Sequence, residues 1–341
     1  MENITQIDLT PSGAESINQI YEGFDFNTVV EEIVNGKFSP QTQKLTERIL
    51  NLVWGELSGS FALVGLLAAL IVICAFINNL QESFGKESIC KATRFACYIY
   101  MTTIAVTAFD SACRYVGTTL SDITVLMNSI IPSMAMLYIS GGGMLAGLTH
   151  PVIFFICSGF SALIKGVITP LVLFRAATAL LSGINENAGM NEFSDIFARL
   201  HRIIISFAMT LFVGILGINK FAAASFDNLA ARGIRFAVST AVPIVGGSIS
   251  EAMSSVAGSA MLLKNAVGIT GVIMLFAMFT VPLIKLFALS FAFRITGAIA
   301  APIADRQISD TLKKISECID MLFASVVCMG VTMVIAVASI M

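Results

Sequence analysis

Residues 61–76 read FALVGLLAALIVICAF, a run without a single charged or amide side chain. A helix that crosses the roughly 30 Å hydrocarbon core of a bilayer needs about 20 mostly apolar residues. With its flanks, this run extends over about 59–80, and further long apolar stretches follow it as far as Met341. Lipid is therefore the expected solvent for most of the chain, and the sequence predicts an all-α polytopic integral membrane protein.

The composition agrees with this prediction. Of 341 residues, 56% are hydrophobic and 12% are charged, against roughly 25% charged residues in soluble domains. The mean hydropathy is +0.86, the net charge is −2 and the isoelectric point is about 5.8. A chain of this balance has no basic face for nucleic acid, so we expect membrane lipid and no nucleic acid around it.

We predict about seven to eight transmembrane helices. The eight segments lie at about 59–80, 95–118, 123–140, 151–181, 203–218, 241–262, 266–293 and 320–341. The third and sixth are rich in Gly, Ser and Met and lie near Pro132 and Pro243. They are alternatively re-entrant or broken helices, which are tolerated at membrane depth only where protein or a wet cavity covers them.

Residues 1–57 form the predicted soluble, helical N-terminal segment, and 58–341 form the membrane domain. Asn27 is a candidate cap for a short helix over 28–34 that Gly36 would end. Ser39-Pro40 is typical of a second helix start, and Trp54 suits a lipid interface. Residues 1–25 lack the basic and apolar regions of a signal peptide. Either the N-terminus stays in the cytoplasm or a leader has been removed.

A candidate inverted repeat covers 128–218 and 239–341. Pro132 precedes Pro170 by 38 residues, Pro243 precedes Pro282 by 39, and the sequences around Pro170 and Pro282 are similar. Three crossings in each copy would orient the copies oppositely, as in many transporters. Chance similarity between apolar segments is the alternative explanation.

Basic residues predict the orientation of the chain. With eight crossings and the N-terminus outside, loops 81–94, 219–240 and 294–319 are cytoplasmic. They hold ten basic residues, against six in the outer loops and the N-terminal segment. This distribution agrees with the positive-inside rule.

Ionisable side chains inside apolar segments are costly and are therefore candidates for a polar path. Asp110 and Arg114 are four residues apart, so they share a helix face as an ion pair. Lys165 lies far from both ends of its segment, and Glu251, in a stretch of small and hydroxyl residues, is its best-placed acidic partner. Lys285 follows Pro282, where a proline kink would free backbone carbonyls for it. Glu251 is either part of a polar path or a structural partner of Lys165 or Lys285.

Glycines and prolines mark candidate hinges or helix breaks. Gly141, Gly142 and Gly143 separate two apolar segments and suit a hinge, a re-entrant tip or a plain flexible turn. Pro132, Pro170, Pro243 and Pro282 are the corresponding proline positions.

We expect no enzyme, no cofactor and no metal site. Neither a nucleophile–base set nor an HExxH motif occurs in a plausible context, and His150 and His201 have no ligand-like spacing. The seven scattered cysteines are expected to be small apolar fillers at helix interfaces.

Residues 241–252 (AVPIVGGSISEA), 262–268 (LLKNAVG), 140–143 and His150-Pro151 resemble the stage III sporulation protein AE family of endospore-forming bacteria. The order of elements is also similar over nearly the whole chain. Family members usually carry a cleavable signal sequence, which this sequence does not show. The resemblance brings no established catalytic residue.

This resemblance implies a component of the channel-like complex between mother cell and forespore. The protein would lie in the mother-cell membrane surrounding the forespore and act with the other proteins of the stage III sporulation complex. It would support forespore development. Alternatives are a non-conducting scaffold for partner proteins and a stand-alone ion-coupled transporter. A conducting path should fail when Lys165 or Glu251 is neutralised, whereas a scaffold should tolerate a paired neutral replacement.

Overall fold

The computed structural model describes residues 26–37, 42–84, 87–140, 146–183, 188–241, 246–303 and 306–341. Nearly all of these residues are helical, and none of them lies in a strand. The helices are α1 (Phe26–Val34), α2 (Thr42–Phe84), α3 (Glu87–Ser140), α4 (Ala146–Leu163), a π-helical segment (Ile164–Ile168), α5 (Thr169–Ser182), α6 (Ala188–Ala241), α7 (Gly246–Ile303) and α8 (Arg306–Ile340). The predicted all-α membrane fold is confirmed.

In the part of the chain that the structure describes, six helical spans are long and apolar enough to cross a membrane. They are Glu47–Phe76, Phe95–Ser140, Pro151–Ser182, Glu192–Ile218, Gly258–Ile303 and Gln307–Ile340. This count is lower than the predicted seven to eight because predicted segments 95–118 and 123–140 belong to the single helix α3. Likewise, most of 241–262 and all of 266–293 belong to α7. Neither weak segment is re-entrant in its described part.

The short N-terminal helix forms and ends before Gly36 as predicted, but Asn27 lies inside the helix rather than capping it. Helix α1 covers Phe26–Val34, and Gly36 follows it with φ 66°, a left-handed conformation that suits glycine. Phe26 and Val30 are buried in the core of the membrane domain, where α1 packs on α7. The predicted boundary at residue 57 lies inside the continuous helix α2, so the backbone shows no break there. Ser39-Pro40 lies outside the described residues.

Two of the predicted proline breaks are absent. Helix α3 continues through Pro132 and α7 continues through Pro282. A proline removes one backbone hydrogen bond, and packing against neighbouring helices compensates for this loss in membrane helices. Pro170 does mark an irregularity, because it follows the π-helical segment directly. Pro243 and Gly141, Gly142 and Gly143 lie outside the described residues.

Contacts between distant residues define two ends of the bundle. At the end that we call the basic end, the Tyr98 hydroxyl donates to the Leu180 carbonyl at 2.6 Å and lies 3.5 Å from the Thr311 hydroxyl. Helices α2, α5 and α7 finish here, and α3, α6 and α8 begin here. At the far end, Met341 and Met134 both approach Gly268.

This arrangement corrects part of the predicted topology. Stretches 81–94 and 294–319 meet at the basic end, as predicted, but both are largely helical rather than loops. Stretch 219–240 is also helical and forms the second half of α6. Because α6 starts at the basic end, this stretch runs away from it, and the predicted common side for all three stretches is wrong. The repeat units 128–218 and 239–341 stay a prediction.

The centre of the bundle is the α7–α8 hairpin. In the most apolar stretch of each helix, 50% of the residues of α7 and 56% of those of α8 are buried. Helices α2, α3, α5 and α6 pack around this hairpin. In α8, the buried side chains include Leu312, Ile319, Val326 and Met333, which recur every seven residues and so share one helix face.

Candidate polar path in the membrane domain

An exposed polar stripe runs along the outer side of α3, inside its candidate membrane span. We call this stripe the polar face of α3; its members are Thr103, Thr107, Asp110, Ser111, Arg114, Thr118 and Ser121, all of them exposed. Their spacing of three and four residues places them on one side of the helix. The opposite side of α3 is buried and apolar, with Ala105, Phe109, Ala112 and Val116 in the core.

The members of this face are satisfied within α3 itself. The hydroxyls of Thr107, Ser111 and Ser121 each donate to a carbonyl one turn earlier, at 3.0–3.1 Å. Such bonds allow serine and threonine to sit in membrane helices. The Arg114 Nε donates to Asp110 Oδ2 at 2.8 Å, so the predicted ion pair forms. Its side chains stay 78% (Arg114) and 56% (Asp110) exposed, which makes the pair costly against lipid.

Part of the surface beside the polar face at the same depth is apolar. Helices α2 and α3 run antiparallel, and Cys74 lies opposite Cys97. In the same register, Phe61 lies opposite Asp110, because each is thirteen residues further from that pair. Phe61 is exposed, and so is Leu66 one to two turns away. Exposed aromatic and aliphatic side chains are typical of a lipid-facing surface, so the charged pair interrupts an apolar belt.

Lys165 joins one end of the polar face from the neighbouring helix. It lies in the π-helical segment, and its Nζ donates to Ser121 Oγ at 2.7 Å. The Thr169 amide and hydroxyl both bond the Ile164 carbonyl, which stabilises the widened turn just before Pro170. Helical π-bulges often occur at functional sites.

The predicted partner Glu251 lies in α7, but its side chain is outside the described part of the chain. The pairing of Lys165 with Glu251, and the role of Glu251 in a polar path, therefore stay predictions. In the described part of the chain, the Lys165 ammonium donates to Ser121 on α3.

Lys285 lies in a cleft between α2, α3 and α7 with a volume of about 270 Å³. Its Nζ donates to the Tyr115 hydroxyl at 3.0 Å, lies 4.3 Å from the centre of the same ring and is 3.6 Å from Glu56 Oε1. We expected carbonyls freed at Pro282 as its partners, and the structure places these two side chains there instead. Ser111 lines the cleft as well, so the cleft opens beside the polar face of α3.

A second polar group connects helices inside the bundle. The guanidinium of Arg175, on α5, pairs with Glu317 on α8 and donates to Met321 Sδ at 3.0 Å. The Arg175 side chain is 6% exposed, whereas that of Glu317 is 54% exposed. On α6, His201 is buried and its Nε2 lies 2.9 Å from Ser325 Oγ. These contacts tie α5 and α6 to α8.

The α7–α8 hairpin carries a third polar group at a depth similar to that of the Arg175–Glu317 pair. Asp320 on α8 accepts hydrogen bonds from Ser290 and Arg294 of α7. The hydroxyls of Ser290 and Ser316 lie 3.1 Å apart. Both serines are buried, and a satisfied buried network of this kind fixes the relative position of the two helices.

Sequence reasoning did not select Arg175, Glu317, His201 or Asp320. Arg175 lies inside the predicted membrane segment 151–181, so the rule that selected Lys165 would have found it. Glu317 lies in the predicted loop 294–319, and Asp320 is the first residue of the predicted last segment at 320–341. Their partners are 142 and 26 residues away, and no periodic pattern indicates such contacts.

The cysteines fall into two groups. Cys74 and Cys97 form a disulfide between α2 and α3, with their Cα atoms 6.3 Å apart, so these two are not the apolar fillers that we expected. Cys157 and Cys318 are buried among apolar neighbours, as that prediction requires.

The fold and its polar groups define the class of protein: a multi-pass α-helical membrane protein with charged side chains inside its spans. The model of the stage III sporulation protein AE family matches residues 24–341. The chain belongs to this family. It is 26% identical over 295 residues to "Stage III sporulation protein AE" of Bacillus subtilis (strain 168), which covers 86% of this chain and 74% of that relative. No solved structure matches the chain.

Proposed function

We propose that the chain is a non-enzymatic membrane component of the sporulation channel or transport complex that links mother cell and forespore. In this role it is needed for forespore development and lies in the mother-cell membrane surrounding the forespore. Its partners are other proteins of the stage III sporulation complex. The family membership supports a role in sporulation, and the proposal adds the conducting role.

One observation carries this proposal: the polar face of α3 with its exposed Asp110–Arg114 pair. An ionised pair in an apolar span has a high free-energy cost against lipid. Water or polar protein surface removes this cost. The nearby ammonium groups of Lys165 and Lys285 extend the same polar region towards α5 and α7. Ionisable groups gathered in this way are typical of substrate and ion pathways.

Two alternatives make different predictions. A non-conducting scaffold uses its polar groups only to hold helices or partners, so neutral substitutes of equal size should serve it. A stand-alone ion-coupled transporter should work without the other proteins of the complex. The predicted inverted repeat favours the transporter, but the family membership favours action within sporulation.

The test uses a double variant, Asp110→Asn with Arg114→Gln, expressed from the native locus in the organism that makes this chain. Both substitutions keep side-chain size and remove charge. If the face conducts, the variant should insert and co-purify with its complex, while the yield of heat-resistant spores falls by orders of magnitude. Normal spore yield with normal assembly would exclude the conducting role and favour the scaffold.

A matched control removes one positive charge elsewhere. Arg199→Gln changes an exposed arginine of α6, away from the polar face of α3. Its spore yield should stay normal. Lys165→Gln should behave like the double variant, since its ammonium extends the same face. Loss of spores only when co-purification is also lost would show that the charges serve assembly rather than conduction.

A further inference from the structure

We propose that the polar face of α3 packs against the same face of a second copy of this chain, and that the two faces enclose the polar path between them. This inference rests on the proposed function, because it states where the proposed polar path runs. The contact between copies itself is a separate claim with its own test. The position of the polar side chains carries the argument.

A path inside one copy would need polar side chains on the inner side of α3. At the depth of the ion pair that side is filled instead by Phe109, Ala112 and Val116, and the buried polar side chains Thr119 and Asp122 lie further along the helix. The ionised groups of the same stretch, Asp110 and Arg114, point outward. The polar surface of this helix therefore borders the outside of the bundle, and a polar path along it needs a second wall.

Lipid is a poor second wall for this face. The serine and threonine hydroxyls are satisfied by their own helix, but the ion pair keeps most of its surface exposed. Helix α6 offers a contrast, since its exposed side chains include Phe193, Ile203 and Phe207. Beyond Arg199 and Arg202, which are exposed charged residues near its start, α6 has no charged side chain over 203–218, so lipid suits this stretch. The molecule thus separates an apolar outer surface on α6 from a polar one on α3.

Charge complementarity favours a second copy as the occupant. The face carries an acid and a base one helical turn apart, about 5.4 Å along the axis. When two copies are related by a twofold axis along the membrane normal, equivalent residues lie at the same depth in the membrane. Each Arg114 can then reach Asp110 of the neighbouring copy as well as its own, which gives a ring of alternating charges. A C2 contact of this kind is self-complementary, as the commonest homodimers are.

The shape of the face agrees with a close approach. Gly117 lies between Arg114 and Ser121, and a Cβ added to it would meet nothing within 4 Å. Small residues at such positions let membrane helices approach closely. This feature alone would define no site, but it lies on the same side of α3 as the exposed ion pair.

Cross-linking in native membranes tests the proposal. In a background without the seven native cysteines, single cysteines are placed at Thr107, at Thr118 and, as a control, at Phe207 on the apolar surface of α6. Copper-phenanthroline oxidises each membrane sample. We expect about tenfold more disulfide-linked homodimer at 107 or 118 than at 207, because paired Cα atoms must lie within about 7 Å. Two differently tagged copies identify the product.

Other results overturn the proposal. Equal or lower yield at 107 and 118 than at 207 would exclude the contact between copies. Cross-linking of 107 to a different protein would show that another member of the complex is the second wall. Both outcomes leave the spore-yield test of the conducting role standing. Conversely, efficient homodimer cross-linking in a charge-neutral variant with normal spore yield would keep the contact and reject the path.

A charge-exchange experiment covers the case in which cysteine variants fold poorly. Asp110→Arg and Arg114→Asp each destroy the ion pair within one copy. When the two tagged variants are produced together, they should co-purify several-fold better than either variant does with itself, since unlike charges then face each other. No preference for the mixed pair would contradict the proposed geometry.

Discussion

The polar groups of the α7–α8 hairpin and those of α3 differ in where their partners lie. In the hairpin, Asp320 is bonded by Ser290 and Arg294 from the opposite helix, and Arg175 reaches Glu317 from α5. On α3, the Asp110–Arg114 pair and the hydroxyl bonds close within one helix. The first set holds helices together, whereas the Asp110–Arg114 pair of the second set joins no two helices, and Ser121 of that face accepts one bond from Lys165.

This difference distinguishes charged side chains that stabilise the fold from charged side chains that remain available for function. Removing one member of a buried pair leaves its partner in an apolar environment. Removing a member of an exposed pair changes the free energy of folding little. The comparison therefore predicts that substitutions in the two regions act on different properties, stability in the hairpin region and function on α3.

The largest expected effect on stability comes from Arg175. Arg175→Met should lower the free energy of unfolding by about 3 kcal/mol, the lower part of the range for a broken buried pair, because Glu317 is half exposed. Unfolding in mixed micelles, followed by helical circular dichroism, measures this change. The matched variant Arg114→Met should lose about 0.5 kcal/mol or less. Equal losses for the two arginines would refute the distinction.

A smaller effect on stability is expected at Gly183, which follows the last residue of α5 at the basic end of the bundle. A Cβ at Gly183 would overlap the Tyr98 side chain and the Thr311 hydroxyl, so Gly183→Ala should cost about 1–3 kcal/mol by overpacking. Gly159→Ala is the control, since a Cβ at Gly159 meets nothing within 4 Å. It should be neutral or slightly stabilising. Thermal denaturation in detergent compares them, and a stable Gly183→Ala variant would argue against this packing.

A loss of about 1 kcal/mol is expected for Ser325→Ala, which removes the hydroxyl beside the buried His201. Thr118→Val, the control on the polar face of α3, deletes a hydroxyl bonded only to its own helix. It should change the unfolding free energy by less than about 0.5 kcal/mol. Chemical denaturation of both variants decides this, and the reverse order would mean that the α6–α8 contact is weaker than described.

The sidedness of the bundle can be tested with almost no perturbation. Single cysteines at Asp195 and Lys313 should react with an impermeant thiol reagent from the same side of the membrane. A cysteine at Ser140 should react from the opposite side. This result follows from six crossings, with both Asp195 and Lys313 near the basic end. Reaction of 313 together with 140, and of 195 from the opposite side, would instead support the eight-crossing topology that the hydropathy pattern suggested.

Periodicity and composition were sufficient for the local features of the fold. Helix α1 with its Gly36 end and the Asp110–Arg114 pair depend on neighbours within one or two turns, which a sequence displays directly. The number of helices was harder to predict. Polar or glycine-rich stretches near 119–122 and 263–265 looked like breaks, but α3 and α7 continue through them because buried neighbours such as Leu120 and Lys264 hold them in the bundle.

Partners across helices could not be read from the sequence. Lys285 meets Tyr115 and Glu56, which are 170 residues and more away along the chain. The sequence identified the lysine as costly in an apolar span, but only tertiary packing decides which side chains surround it. The same reason explains why the partners of Arg175 and His201 could not be predicted, whereas the exposed pair on one helix could.

The central claim is that the polar face of α3 lies in water within a membrane-crossing span. The most direct measurement is the reactivity of single cysteines at Thr107 and Thr118 towards a charged, impermeant thiol reagent in intact membranes. Cysteines at Leu66, at a similar depth on α2, and at Phe207 on α6 are the controls. Reaction at 107 and 118 but not at 66 or 207 is the predicted result. Four unreactive positions would place the face in lipid or dry protein, and four reactive ones would place this depth outside the membrane; either result would contradict the account.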